Sequence, residues 1–110
     1  MAKLKTKNIH KTKEKVELEF PKIYTIFLHN NPITPFNIVV EILKEIFGKK
    51  EDQAYRVMMA VHQSGPGGKG PVVKLPKKIA EEKISAVNDW KMNRNCPELE
   101  FSMEEDKGDS

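Results

Sequence analysis

Ile23-Tyr24-Thr25-Ile26-Phe27-Leu28 runs through His29 into Asn30-Asn31-Pro32 and then Thr34-Pro35-Phe36, and the reading of this stretch decides the fold. β-Branched and aromatic residues dominate its first half, the composition of a strand, and Asn, Asn and Pro are turn formers that end it. Thr34 is placed to act as an N-cap, with Pro35 at the first helical position, where a missing N–H is harmless. Phe36, Val39, Val40, Leu43, Ile46 and Phe47 then recur at three- and four-residue steps as far as Gly48, which predicts a helix.

Downstream, Asp52 is placed to cap a second helix whose apolar stripe is Ala54, Val57, Met58 and Val61, followed by His62 and stopped before Gly65. The stretch from Gly65 to Pro71 holds four of the six glycines and reads as a loop. Val72, Val73 and Leu75 predict a second strand that ends at Pro76. Ile79, Ala80, Ile84, Val87 and Trp90 lay out a third helix, and Leu99 to Met103 alternates apolar with polar as a half-buried strand does. The order β-α-α-β-α-β predicts an α+β, two-layer sandwich: a three-stranded antiparallel sheet packed on three helices.

Charge divides the chain. Residues 1–22 carry seven Lys against three Glu, whereas residues 98–110 carry one Lys against six acidic residues, so the overall +3 conceals a basic head and an acidic tail. Such runs hold too little apolar surface to offset the entropy of ordering. Residues 1–20 are therefore expected to be a flexible basic extension, residues 21–103 the folded domain, and residues 104–110 an acidic disordered tail. The head has no interleaved aromatics and its lysines are diluted by glutamates, so no nucleic-acid partner is expected. No apolar run is long enough to span a membrane, and no signal peptide is evident at the start, so a cytoplasmic protein is expected. One cysteine and three histidines without ligand spacing predict neither a disulfide nor a metal site. No Ser, His and acid motif marks a hydrolase, and the glycine loop lacks phosphate-cradle spacing, so no enzyme and no cofactor is expected.

Two places combine into a candidate site. The loop Asn30-Asn31-Pro32-Ile33-Thr34 leads into Phe36 and Val39, and Met58, Val61 and His62 share one face of the next helix. If the two helices run antiparallel, polar acceptors rim an apolar pocket, which suits a ligand with hydrogen-bond donors at one end and a hydrophobic group at the other. The plainer alternative is that the stripe is ordinary core, the histidine structural and Asn-Asn-Pro only a turn.

Tyr24-Thr25-Ile26-Phe27-Leu28-His29-Asn30 with Thr34-Pro35, then Met58-Met59-Ala60-Val61-His62 with Gly65, then Ala80-Glu81-Glu82-Lys83 with Val87-Asn88, in this order and spacing, resemble the ClpS family of adaptor proteins. The resemblance spans residues 21–103. It implies an adaptor, with no covalent chemistry of its own, that docks on the N-terminal domain of a Clp-type AAA+ unfoldase. The adaptor delivers proteins whose first residue is a large hydrophobic one, the N-degrons. By resemblance Asn30, Asn31 and His62 would meet the substrate's α-amino group, Thr34 would stand at the rim, and Phe36, Val39, Met58 and Val61 would line the side-chain pocket. Lys83 would face the unfoldase, and nothing requires more than a monomer.

The family's Asn-Asp-Asp reads Asn30-Asn31-Pro32 here, so an amide stands where a carboxylate would pair with the ammonium. Exchanging a charged hydrogen bond for a neutral one is expected to weaken recognition by about 1 to 2 kcal/mol, roughly tenfold, and Asn31→Asp to restore it. Phe36, where a Met is common, is expected to narrow the pocket, and Lys77-Lys78 replaces an acidic start of the third helix. The rival readings are a ClpS-like regulator of the unfoldase that does not read N-degrons and, from another class, a basic nucleic-acid module.

Overall fold

The computed structural model describes residues 21–107. Its elements are β1 (Ile23–His29), α1 (Phe36–Glu45), α2 (Glu51–Gln63), β2 (Lys69–Pro76), α3 (Lys77–Arg94) and β3 (Phe101–Glu105), which is the expected α+β order. The sheet is antiparallel with strand order β2-β1-β3. The stretch that predicted the fold thus supplies the central strand. Its period of two sends Ile26 and Leu28 into the core, at 0% and 2% exposure. Phe27 and His29 take the outer face, where Lys69 lies over the Phe27 ring at 4.5 Å and His29 Nε2 bonds Ser102 Oγ at 2.6 Å.

Val39, Ile42 and Leu43 of α1, Ala54, Met58 and Val61 of α2, and Ala80, Val87 and Trp90 of α3 complete one core with Leu99 and Phe101. Glycine matters where α2 meets the sheet. A Cβ on Gly70 would come within 2.9 Å of Val61 Cγ2, so the last turn of α2 rests almost directly on the backbone of β2.

Several sequence-based boundaries are corrected. Thr34 is not the cap of α1: Pro35 holds that position in extended conformation, and Thr34, 4% exposed, donates its hydroxyl to Glu98. Asp52 does not cap α2, which starts one residue earlier, and the Lys50 N–H donates to Gln53 Oε1 at 3.1 Å. β2 begins at Lys69, inside the expected glycine loop. It is an edge strand with a register shift beside Pro71, the setting in which a proline is tolerated in a sheet. β3 runs past the expected domain end, because Glu104 and Glu105 pair with Thr25 and Tyr24. Lys69 neutralises Glu104, and Lys74 meets Asp106 at 3.0 Å, so the start of the acidic tail is held on the sheet by cations of β2. The basic extension over residues 1–20 lies outside the described residues, as do the last three residues of the expected tail. No helix among the described residues is long and apolar enough to cross a membrane.

Candidate functional site

The cleft forms where the end of β1 meets the last turn of α2. Asn30 is held there from both sides: its backbone N–H donates to Gly68 O at 2.8 Å and its side-chain Nδ2 to Gly65 O at 2.6 Å. Gly65 sits at φ +84°, a conformation that favours glycine and turns its carbonyl toward the asparagine. With Nδ2 engaged as donor, the Asn30 amide presents Oδ1 as its free acceptor.

Asn31 behaves differently. Its Oδ1 receives the N–H of Ile33 at 2.7 Å and that of Thr34 at 3.3 Å, a side-chain turn of the kind asparagine favours. Its Nδ2 donates to the carbonyl oxygen of Glu98. Both ends of this amide therefore hold the loop that enters α1. Thr34 Oγ1 completes the link by donating to Glu98 Oε2 at 3.1 Å.

Beneath these polar groups lie Phe36 and Val39 of α1 and Met58, Val61 and His62 of α2, all around one cleft with Asn30, Asn31 and Thr34. The structure thus gathers all eight sequence-predicted pocket residues. It adds Leu28, His29 and Leu99, which the sequence reading missed. Leu28 and Leu99 are 2% and 0% exposed and form the floor. No local signal ties residue 99 to residue 30; only the return of the chain before β3, where the His29 N–H donates to Glu100 O at 3.0 Å, brings it there.

His62 is exposed, and among the described residues no hydrogen bond engages its ring. Its neighbour is Phe36, whose ring stands edge-on to the imidazole at 5.0 Å between centroids. Phe36 is also 46% exposed, unlike the other apolar residues of the cleft. The cleft is narrow, with a free volume of about 20 Å³, roughly room for one water. A large side chain enters only if Phe36 or the flexible Met58 moves aside. Phe36 and Met58 also border a much wider trough between α1 and α2, so their other side is open.

Lys83 is not part of this cleft. It lies half-buried on α3, and its Nζ donates to Ile46 O at 2.9 Å, the carbonyl just past the end of α1. A cation there suits the negative end of the helix dipole. Beside it, Trp90 Nε1 donates to Glu45 Oε1 at 2.9 Å, and Arg94 pairs with Glu41 at 2.8 Å while lying over the Trp90 ring. The Arg94 hydrogen bond, followed by that of Glu45, holds the Glu41 carboxyl below the ordinary carboxylate value, and Glu41 in turn raises Arg94.

The cleft combines acceptors left without a partner among the described residues, Asn30 Oδ1 and the His62 ring, with apolar walls. The family model described as ATP-dependent Clp protease adaptor protein ClpS matches residues 19–101, most of the chain. The chain belongs to the ClpS family. Its members are adaptor proteins of the ATP-dependent Clp protease, and similar proteins carry that description. The ClpS adapter of Shewanella halifaxensis is 40% identical over 103 residues, covering 92% of this chain and 97% of its own. The ClpS adapter of Shewanella denitrificans is 35% identical over 97 residues, covering 86% and 92%. Among solved structures, that of Agrobacterium tumefaciens ClpS2 bound to L-phenylalaninamide superposes with a TM-score of 0.70 at 34% identity, over 79% of this chain and 100% of that one.

Proposed function

We propose that this ClpS-family adaptor seats the first residue of a substrate protein in the cleft and presents the substrate to a Clp-type AAA+ unfoldase. Asn30 Oδ1 and a neutral His62 ring nitrogen accept hydrogen bonds from the α-ammonium, which has three donors and no acceptor. Thr34 stands at the rim, and Phe36, Val39, Met58 and Val61 close around a large hydrophobic side chain. L-Phenylalaninamide, bound by the Agrobacterium relative, carries a free α-amine beside a benzyl group, the same pairing of chemistries. The observation that carries the reading is the Asn30 amide: its Nδ2 is tied to Gly65 O, so its oxygen is left as the acceptor at the mouth.

Docking on the unfoldase N-terminal domain uses the face of α3 that carries Lys83. One of the three Lys83 donors goes to Ile46 O, and two are left for a partner. The adaptor does no covalent chemistry and acts as a cytoplasmic monomer. Titration of fluorescent peptides beginning with Phe, Leu, Tyr or Trp tests the cleft: binding that is lost on acetylating the N-terminus supports the reading, and equal binding of both forms rejects it. Copurification with an isolated unfoldase N-terminal domain, weakened by Lys83→Ala, tests the docking.

A second reading keeps the docking and drops the degron. The narrow space beneath Phe36 favours it. Under that reading no peptide binds, and Phe36→Ala alone does not create binding. Under the first, Phe36→Ala or Phe36→Met increases affinity severalfold for peptides starting with Trp relative to Leu.

A further inference from the structure

The amine site as read above has a gap in its charge. Asn30 and neutral His62 are uncharged acceptors, and both ends of the Asn31 amide are engaged within its own loop. A buried or half-buried ammonium is costly unless it is paired with an opposite charge. The carboxylate hydrogen-bonded to the rim of this cleft is that of Glu98.

Three observations single it out. Glu98 brackets the rim twice: its backbone oxygen receives Asn31 Nδ2, and its Oε2 receives the hydroxyl of Thr34, itself a lining residue, at 3.1 Å. Leu99, its chain neighbour, forms part of the floor, which keeps Glu98 next to the cleft although it does not itself line it. No Lys or Arg among the described residues pairs with Glu98, although the other acids around α1, Glu41, Glu45 and Glu51, each meet a cation. A half-buried carboxylate with one oxygen fixed by Thr34 and no cation of its own is a counter-charge awaiting one.

We infer that Glu98 supplies the negative charge for the ligand's α-ammonium, taking from beside the asparagine loop the part that a carboxylate at position 31 would play. The inference rests on the amine-binding reading of the cleft. It also explains how an amide at position 31 is compatible with that reading: the charge has moved from the asparagine loop to the segment before β3. A charge-assisted hydrogen bond is about twice as strong as a neutral one, so the expected effect is close to tenfold in affinity.

The test uses the full chain, fluorescence anisotropy and two peptides that differ in one group, one starting with Phe and one with phenyllactate, in which a neutral hydroxyl replaces the ammonium. Wild type is expected to prefer the amine strongly, and to lose affinity for it as salt rises. Glu98→Gln keeps an oxygen to accept the Thr34 hydroxyl. It is expected to bind the amine peptide about tenfold more weakly, to lose most of its preference over the hydroxyl peptide, and to show a flatter salt dependence. If Glu98→Gln weakens both peptides equally, its role is only to hold the loop, and the inference is overturned. If Glu98→Gln binds as wild type while His62→Ala does not, Glu98 has no part and the amine reading stands without it. If wild type binds neither peptide, that reading fails and the inference with it. Should Glu98→Gln melt at a much lower temperature than wild type, the wild-type salt dependence decides: affinity for the amine peptide that does not change with salt overturns the inference.

Discussion

The two ends of α1 hold similar residue types in opposite circumstances. At its C-terminal end each polar side chain has a partner within the chain: Trp90 donates to Glu45, Arg94 pairs with Glu41, and one donor of Lys83 goes to Ile46 O. At its N-terminal end capacity is left over, in the oxygen of Asn30, both nitrogens of His62 and one oxygen of Glu98. Groups that answer one another within the chain hold the fold, whereas capacity left unanswered at the cleft is what the proposed ligand would meet. The apolar residues repeat the contrast. Trp90 is 8% exposed and anchors α3, while Phe36 stands 46% exposed at the edge of a narrow cleft.

The contrast is broken most directly at its satisfied end. Trp90→Ala is expected to cost about 3 to 5 kcal/mol in urea denaturation, as large-to-small core changes do. Peptide affinity per folded molecule should stay unchanged; a loss of affinity in the folded fraction would show the two ends to be coupled. At the open end the reverse holds. His62→Ala and Asn30→Ala are each expected to weaken binding of a Phe-initiated peptide by about tenfold, the scale of one hydrogen bond to a charged group, with His62→Ala leaving the melting temperature nearly unaltered. Equal affinity of wild type and both variants would remove these two acceptors from the site.

Asn31→Asp sharpens the comparison because the hydrogen bonds of Asn31 change what is expected of it. A carboxylate at position 31 was expected to tighten binding. Asn31 Nδ2 donates to Glu98 O, however, and a carboxylate there has no donor to offer. The substitution is now expected to destabilise the fold by about 1 kcal/mol and to leave affinity unimproved. Calorimetry and the same peptide titration check both parts.

The smallest effect belongs to Glu41. Its carboxyl, chiefly through Arg94, is held below the ordinary value near 4.5, so its contribution to stability is fully present above that value. It is lost as the pH falls through the lower folded value. Wild type should therefore exceed Glu41→Gln in urea midpoint at neutral pH, and the difference should shrink as the solution is acidified below that range. A difference that persists in strong acid would mean that the ion pair is not its source.

Much of the fold was legible because apolar periodicity is a local property. The three- and four-residue spacing of Val39 and Leu43 predicted α1, the β-branched composition around Ile26 and Leu28 predicted β1, and the structure buries all four. The errors fall where a partner distant in the chain decides. Thr34 has the chemistry of a helix cap, yet its hydroxyl turns to a residue sixty-four positions away, and Pro35 takes the cap position. Glu104 and Glu105 have the composition of a tail but become a strand because β1 offers an edge and Lys69 a counter-charge. The eight candidate pocket residues were recognisable because they sit in one turn-forming loop and on two helix faces of regular spacing, whereas Leu99 and Glu98 belong to a segment with no local link to either.

By itself the sequence determined the order of strands and helices, the apolar faces they bury and the residue types at the cleft, since each follows from side-chain size, polarity and spacing along a few turns of chain. Only the tertiary structure decided which polar atoms are left unanswered. A hydrogen bond from Asn31 to the backbone oxygen of Glu98 joins residues sixty-seven positions apart, and it, rather than the identity of either residue, ties the asparagine to its own loop and brings the glutamate to the rim.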